Sequence, residues 1–253
     1  MAQPVAGNMT EGSKMLANLG RMRQAVNEWL ITEGLLGDAK FYTIDEWRGR
    51  GEGYLDDALL VLVIDGSSLH TMLNYGGDTS EFDDLVESFG FWCELGHSWS
   101  LGFYPAEDYD FSPPQGSYAT KLRDPRWQCK ANSVKVRGGH SCQDCGAAEP
   151  LDAHHCYYTS MRDGFEPWEY PLSALRALCR TCHEARERAE IRMRAFMASL
   201  TQTDMEALRG ALGHAFYWYE PSAVSAFLSA LGPEERHIQA GLDDLRLGRT
   251  DAD

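Results

Sequence analysis

The sequence predicts an α+β protein in three parts: an antiparallel α+β domain at residues 1–104, a cysteine-clamped module at 118–190 and a helical region at 191–253, with 105–117 as a linker. Three observations lead there. Helical and strand patterns alternate through residues 13–104, two Cys-x-x-Cys pairs bracket the middle, and after His183 the chain reads as successive capped helices.

Residues 1–12 read as a loose terminus. In the first part, Met15, Leu16, Leu19, Met22, Val26, Trp29 and Leu30 recur at three and four, which predicts an amphipathic helix over 13–33, stopped by Gly34 and Gly37. FYTIDEW (41–47) alternates as a strand, and ALLVLVID (58–65) reads as a buried one. A short helical stretch runs to Leu73. Ser80 then caps a helix with Phe82, Leu85, Val86 and Phe89 on its apolar face, ended by Gly90. FWCEL (91–95) and SWSLGFY (98–104) form strands around a Gly96-His97 turn. YPAEDYDFSPPQGS (104–117), acidic and proline-containing, is the linker.

Charge is divided unevenly. The net of −15 resides mostly in residues 1–116, where 6 Lys/Arg face 19 Asp/Glu. Residues 117–137 reverse the sign: Lys121, Arg123, Arg126, Lys130, Lys135 and Arg137 stand against Asp124 alone, a candidate phosphate-contacting surface or else a solvated helix face. The longest apolar run, ALLVLVI (58–64), is far short of the ~20 residues of a membrane span. The start shows no secretory pattern, so the seven cysteines are expected in a reducing, cytoplasmic setting, where Cys-x-x-Cys pairs favour metal over disulfide.

The two pairs are Cys142/Cys145 and Cys179/Cys182, with residues 146–178 between them. Two such knuckles supply four thiolates to one tetrahedral Zn²⁺. Their insert carries His154-His155, and His183 follows the last cysteine. Cys93, Cys129 and Cys156 are expected to be buried and inert. His70, His97, His214 and His237 lack ligand spacing and are read as structural.

C-terminal to the module, 183–200 is strongly helical. TDMEALRGALG (203–213) opens with a Thr203–Glu206 capping box and stops at Gly213. PSAVSAFLSALG and PEERHIQAGLDDLRLG each begin with a proline and close with a glycine.

Six ordered strings, YATKLRDPRWQCK (118–130), CQDCG (142–146), LDAHHCYY (151–158), PWEYP (167–171), ALRALC (174–179) and RTCHE (180–184), resemble the HNH endonucleases, the zinc-knuckle subgroup with a PWEYP loop. The resemblance covers about residues 118–190. It implies a ββα-metal, treble-clef-like module with structural zinc on Cys142, Cys145, Cys179 and Cys182. It further implies His155 as general base, a catalytic Mg²⁺ or Mn²⁺ held by His154 and His183, and DNA (RNA left open) as substrate. One position departs from the pattern: Ala174 stands where the family has asparagine, and Asp163, Glu166 or Glu169 is the candidate substitute. Ala174 and the acidic net charge also fit a second reading, a catalytically decayed zinc-stabilised module that binds nucleic acid or protein. The acidic first domain is expected either to cover the basic surface until a partner or ligand displaces it, or to serve as a plain interaction domain. By analogy, such a fusion fits a phage or antiphage-defence setting.

Overall fold

The structure, a computed structural model, describes residues 10–148, 150–158, 165–231, 239 and 242–243. It is a mixed α+β chain with two antiparallel sheets. The chain forms two compact units, Met1–Ala185 and Arg186–Asp253.

In the first unit, α1 spans Glu11–Thr32, its start capped by the Thr10 hydroxyl accepting from Ser13 N–H. The strand expected over 41–47 is cut short. β1 covers only Lys40–Thr43, and α2 takes over at Ile44–Gly49. The reason is a capping box: Thr43 accepts from the Glu46 amide, and the Glu46 carboxylate accepts from the Thr43 amide at 2.8 Å. β2 (Leu60–Val63), the helices α3 (Ser68–Asn74) and α4 (Ser80–Ser88), and the strands β3 (Phe91–His97) and β4 (Ser100–Pro105) follow. The turn between β3 and β4 falls at Ser98-Trp99, two residues beyond the expected Gly96-His97. The four strands form a sheet in the order β1-β2-β4-β3, antiparallel throughout. Alternation sends Leu60, Leu62, Leu101 and Phe103 to one face, where α1 and α4 cover them with Met22, Val26, Leu30, Phe82 and Leu85. Each such buried side chain is worth roughly 1.5–3 kcal/mol of transfer free energy.

The segment read as a linker is packed. Phe111 joins the main core, and the Tyr109 hydroxyl donates to the Ser88 carbonyl at 2.8 Å. After the short α5 (Tyr118–Lys121), α6 spans Pro125–Arg137, with Asp124 accepting from the Arg126 amide and proline at its first position. Trp127, Ala131 and Val134 line its buried face and pack on Trp168, Tyr170 and Leu175. β5 (Leu151–His155) pairs antiparallel with β6 (Leu175–Cys179), and α7 (Arg180–Met197) leaves directly from β6.

The second unit contains α8 (Gln202–Trp218) and α9 (Pro221–Ala230). The cap of α8 is Thr201 with Asp204, two residues ahead of the expected Thr203–Glu206 pair, and the helix runs through Gly213 instead of stopping there. Of the helix expected from Pro233, only residues 239 and 242–243 are described; His237 and residues 1–9 lie outside the described residues. No helix among the described residues is long and apolar enough to cross a membrane.

Two sequence expectations are corrected by burial. Cys129 is exposed, not buried, because it sits on the outer side of α6. Lys130 is only 4% exposed, since it shares the inward side of α6 with Trp127 and Val134. Its ammonium pairs with Asp84 of α4 and donates to Ser88 Oγ at 2.9 Å. Burial lowers the Lys130 pKa in spite of the Asp84 carboxylate. Removing that carboxylate should therefore leave a buried, poorly compensated charge. Asp84→Ala is expected to destabilise the chain by ~3–5 kcal/mol in urea denaturation; a loss under ~1 kcal/mol would show that the pair is not buried as described.

Candidate metal centre and the adjacent histidines

The first Cys-x-x-Cys is a tight turn closed by Gly146 N–H donating to the Cys142 carbonyl at 2.7 Å, with Gly146 at φ +75°. It is stitched to β6. The Gln143 amide donates to the Ala177 carbonyl at 2.9 Å, the Gln143 side-chain oxygen accepts from the Ala177 amide at 2.8 Å, and Arg176 donates to the Gln143 carbonyl at 3.0 Å. The second pair needs no separate turn, because Cys179 ends β6 and Cys182 lies in the first turn of α7. These hydrogen bonds bring all four Sγ atoms within 4.8 Å of one another.

The arrangement fits zinc. A tetrahedral ion with Zn–S bonds of about 2.3 Å separates its sulfurs by about 3.8 Å. Cys145 Sγ and Cys179 Sγ lie 3.8 Å apart. Burial opposes ionisation of Cys142, but backbone hydrogen bonds from Cys179, Asp144 and Cys145 outweigh it and bring the thiol down to about 6.

The histidine doublet is divided by the pleat of β5. Successive side chains of a strand point to opposite faces, so His154 and His155 enter different surroundings. The His154 ring lies edge-on to His183 at 4.7 Å between centroids. Asp152, two residues back on the same face, places Oδ2 3.3 Å from His183 Nδ1. A carboxylate only accepts, so this contact puts the proton on Nδ1 and leaves the lone pair on His183 Nε2.

His155 faces the other way and is 5% exposed. Its ring is stacked between Trp127 (5.1 Å, 14°) and Tyr158 (5.0 Å, 21°), with Tyr170 edge-on. Nε2 lies 2.9 Å from the Pro167 carbonyl, which can only accept, so Nε2 carries the proton and Nδ1 the lone pair. Burial pushes the His155 pKa down to about 4. Pro167 belongs to a loop held by its own charges: Glu169 accepts from the Glu166 amide at 2.7 Å and pairs with Arg21 of α1, while Glu166 pairs with Lys121 at 2.7 Å.

Comparison of the chain with protein-family models, curated proteins and solved structures finds no match.

The structure thus gathers the four cysteines, and separately brings His154 to His183. It does not gather the six basic residues on one open surface. Lys130 is buried; Lys121 is taken by Glu166; Arg126 is held by Asp124 at 2.7 Å and by the carbonyls of Asp110 and Ser112; Arg137 donates to the Leu175 carbonyl although much of it is exposed. Arg123 is exposed and Lys135 half-buried. Glu166 and Glu169 are committed to these ion pairs, and Asp163 lies outside the described residues. Ala174 is fully buried, its carbonyl accepting from Cys156 N–H at 2.8 Å. Asp152 is the residue that sequence reading passed over. The signal was available, since alternation along β5 places it on the face of His154.

A burial-depressed imidazole stays neutral until the pH falls below its lowered pKa. Ring NMR shifts of His155 should therefore be flat from about pH 8 to about pH 5.5 and move with a midpoint near 4. A midpoint near 6.5 would place that ring in water.

Proposed function

We propose that residues 118–190 are an HNH-type nuclease module that hydrolyses DNA phosphodiester bonds. The observation that carries this reading is the split of two neighbouring histidines: His154 faces His183, while His155 is fixed through Nε2 by the Pro167 carbonyl. The β5–β6–α7 order and the four gathered sulfurs are what a zinc-clamped ββα-metal module requires. In this reading zinc on Cys142, Cys145, Cys179 and Cys182 is structural.

His154 and His183 would hold a second divalent cation, with Asp152 orienting His183 through Nδ1–H as a carboxylate behind a metal-bound imidazole does. Bound there, the cation supplies positive charge against a phosphate oxygen and the leaving oxygen. Mg²⁺ or Mn²⁺ is the cation that this reading implies. For His155, neutral with its lone pair on Nδ1, to accept the proton of the attacking water, its ring must swing out from between Trp127 and Tyr158 toward the face of His154 and His183. The water oxygen bonds to phosphorus, the P–O3′ bond breaks, and the 3′ oxygen leaves to be protonated by solvent, giving 5′-phosphate and 3′-hydroxyl ends. Of the basic residues, Arg123, Lys135 and Arg137 remain for the DNA backbone.

The acidic half docks against this module through Arg21–Glu169, Lys130–Asp84 and the Ser173 amide donating to Glu81. Its regulatory influence, in this reading, acts by bracing the loop that carries Pro167. A ligand or partner of that half would tune the loop. A phage or antiphage-defence role is compatible with such a design.

Plasmid nicking in Mn²⁺ tests the proposal. His155→Ala should slow nicking by about 10²–10⁴-fold, the usual worth of a positioned base. Asp152→Asn should raise the Mn²⁺ concentration needed by about 10–100-fold while leaving the zinc in place. A zinc-loaded wild type that leaves supercoiled plasmid intact would instead favour a decayed binding module, the reading that Ala174 recommends; a His155→Ala protein that nicks at the wild-type rate would remove His155 as the base.

A further inference from the structure

The sheet face turned away from α1 and α4 carries a second constructed feature. A cavity of about 350 Å³ opens between the loop after α2 and strands β3 and β4, walled by Tyr54, Trp92, Leu95 and Tyr104, with Asp57 and Glu94 among its lining. Three of these apolar side chains are unusually open: Tyr54 is 60%, Trp92 44% and Leu95 41% exposed. Large aromatic residues left open side by side mark an interaction site more often than a packing accident.

The loop that delivers Tyr54 is held there against a backbone cost. Leu55 has φ +61°, a left-handed conformation that a branched side chain adopts only when its surroundings impose it. Its side chain is buried on a floor made of Gly96 and Gly102; a Cβ at either position would come within 2.5 Å and 2.9 Å of Leu55 atoms. Trp47 Nε1–H donates to the Tyr54 carbonyl at 2.7 Å, and Arg48 donates to the Asp56 carbonyl at 2.6 Å. Tyr54 is thus pinned from both sides, its ring meeting His97 edge-on at 4.6 Å and otherwise facing solvent.

Across the cavity, Trp92 stacks on Tyr104 at 4.6 Å and 21°, and the Tyr104 hydroxyl donates to Asp57 at 3.1 Å. Among the described residues the lining includes no lysine, arginine or histidine, and His97 reaches the Tyr54 ring from outside the cavity. Aromatic faces and carboxylates without a resident cation attract a cation from outside, through the ring quadrupole and the carboxylate charge together. The half of the chain that holds the cavity has a net charge of −13, which steers a basic partner toward it.

We propose that this cavity is the docking site for a lysine- or arginine-bearing peptide segment of a partner protein. One cationic side chain enters between Tyr54 and Trp92, and Asp57 and Glu94 meet its charge. The proposal does not depend on the nuclease reading.

Fluorescence anisotropy of the full chain with a labelled peptide of alternating lysine and glycine tests it. Trp92→Ala and Tyr54→Ala change no charge and remove exposed rings, so both should fold. Each is expected to weaken binding about tenfold, with Trp92→Phe retaining most of it. Wild-type affinity in both alanine variants would overturn the proposal, because charge alone would then account for binding. No binding by the wild type, or equal binding of a serine–glycine peptide, would overturn it as well.

Discussion

The cysteine-clamped half of the molecule depends on the hydrogen bonds that tie the first cysteine turn to β6. Gln143 spends its amide, carbonyl and side chain on Ala177 and Arg176. Without that seam, Cys142 and Cys145 would hang on a free loop, and four sulfurs would not converge on one point. With it, the end of β6 and the start of α7 are fixed to the same centre. That in turn sets where His183 meets β5. Structural zinc contributes on the order of 10–16 kcal/mol in small modules, comparable to the stability of a whole domain. The geometry of the histidines is thus downstream of the sulfurs.

A second constraint is charge placed where water is scarce. Lys130 and Glu169 are both buried, and each is answered from the acidic half, by Asp84 and by Arg21. Burial still pushes the Glu169 carboxyl up to about 7, with Arg21 opposing. Such pairs add little net stability, but they penalise any arrangement that leaves a partner behind. The segment that reads as a tether is packed by other contacts, Phe111 on the main core and Arg126 donating to the Asp110 and Ser112 carbonyls. The acidic half and the cysteine-clamped module differ in charge, yet they fall within one compact unit, joined by those ion pairs and by Phe165, which packs on both cores.

Much of the fold could be read from the residues. The spacing of Met22, Val26 and Leu30 announced α1, and the paired cysteines announced the cluster of four sulfurs. The strand predicted through Trp47 failed because the Thr43–Glu46 capping box is a stronger local signal than a few alternating residues. The cap of α8 was placed two residues late for a similar reason, since Thr201–Asp204 and Thr203–Glu206 are equivalent on paper and only the start of the helix chooses. Lys130 was the instructive miss. A run of basic residues on a helix covers several sides of it, and nothing in the run says which side finds a core; Trp127 and Val134, three and four residues away, held that information. The stacking of His155 between Trp127 and Tyr158 was out of reach, because Trp127 comes to it from a separate stretch of chain.

In the proposed module a sulfur-only zinc centre stands apart from the histidines. X-ray absorption at the zinc edge of the purified chain examines that claim directly. A shell of four sulfurs at about 2.3 Å, with no imidazole scattering, is the predicted result. A mixed shell of sulfur and nitrogen would mean that a histidine belongs to the structural site, and would contradict it.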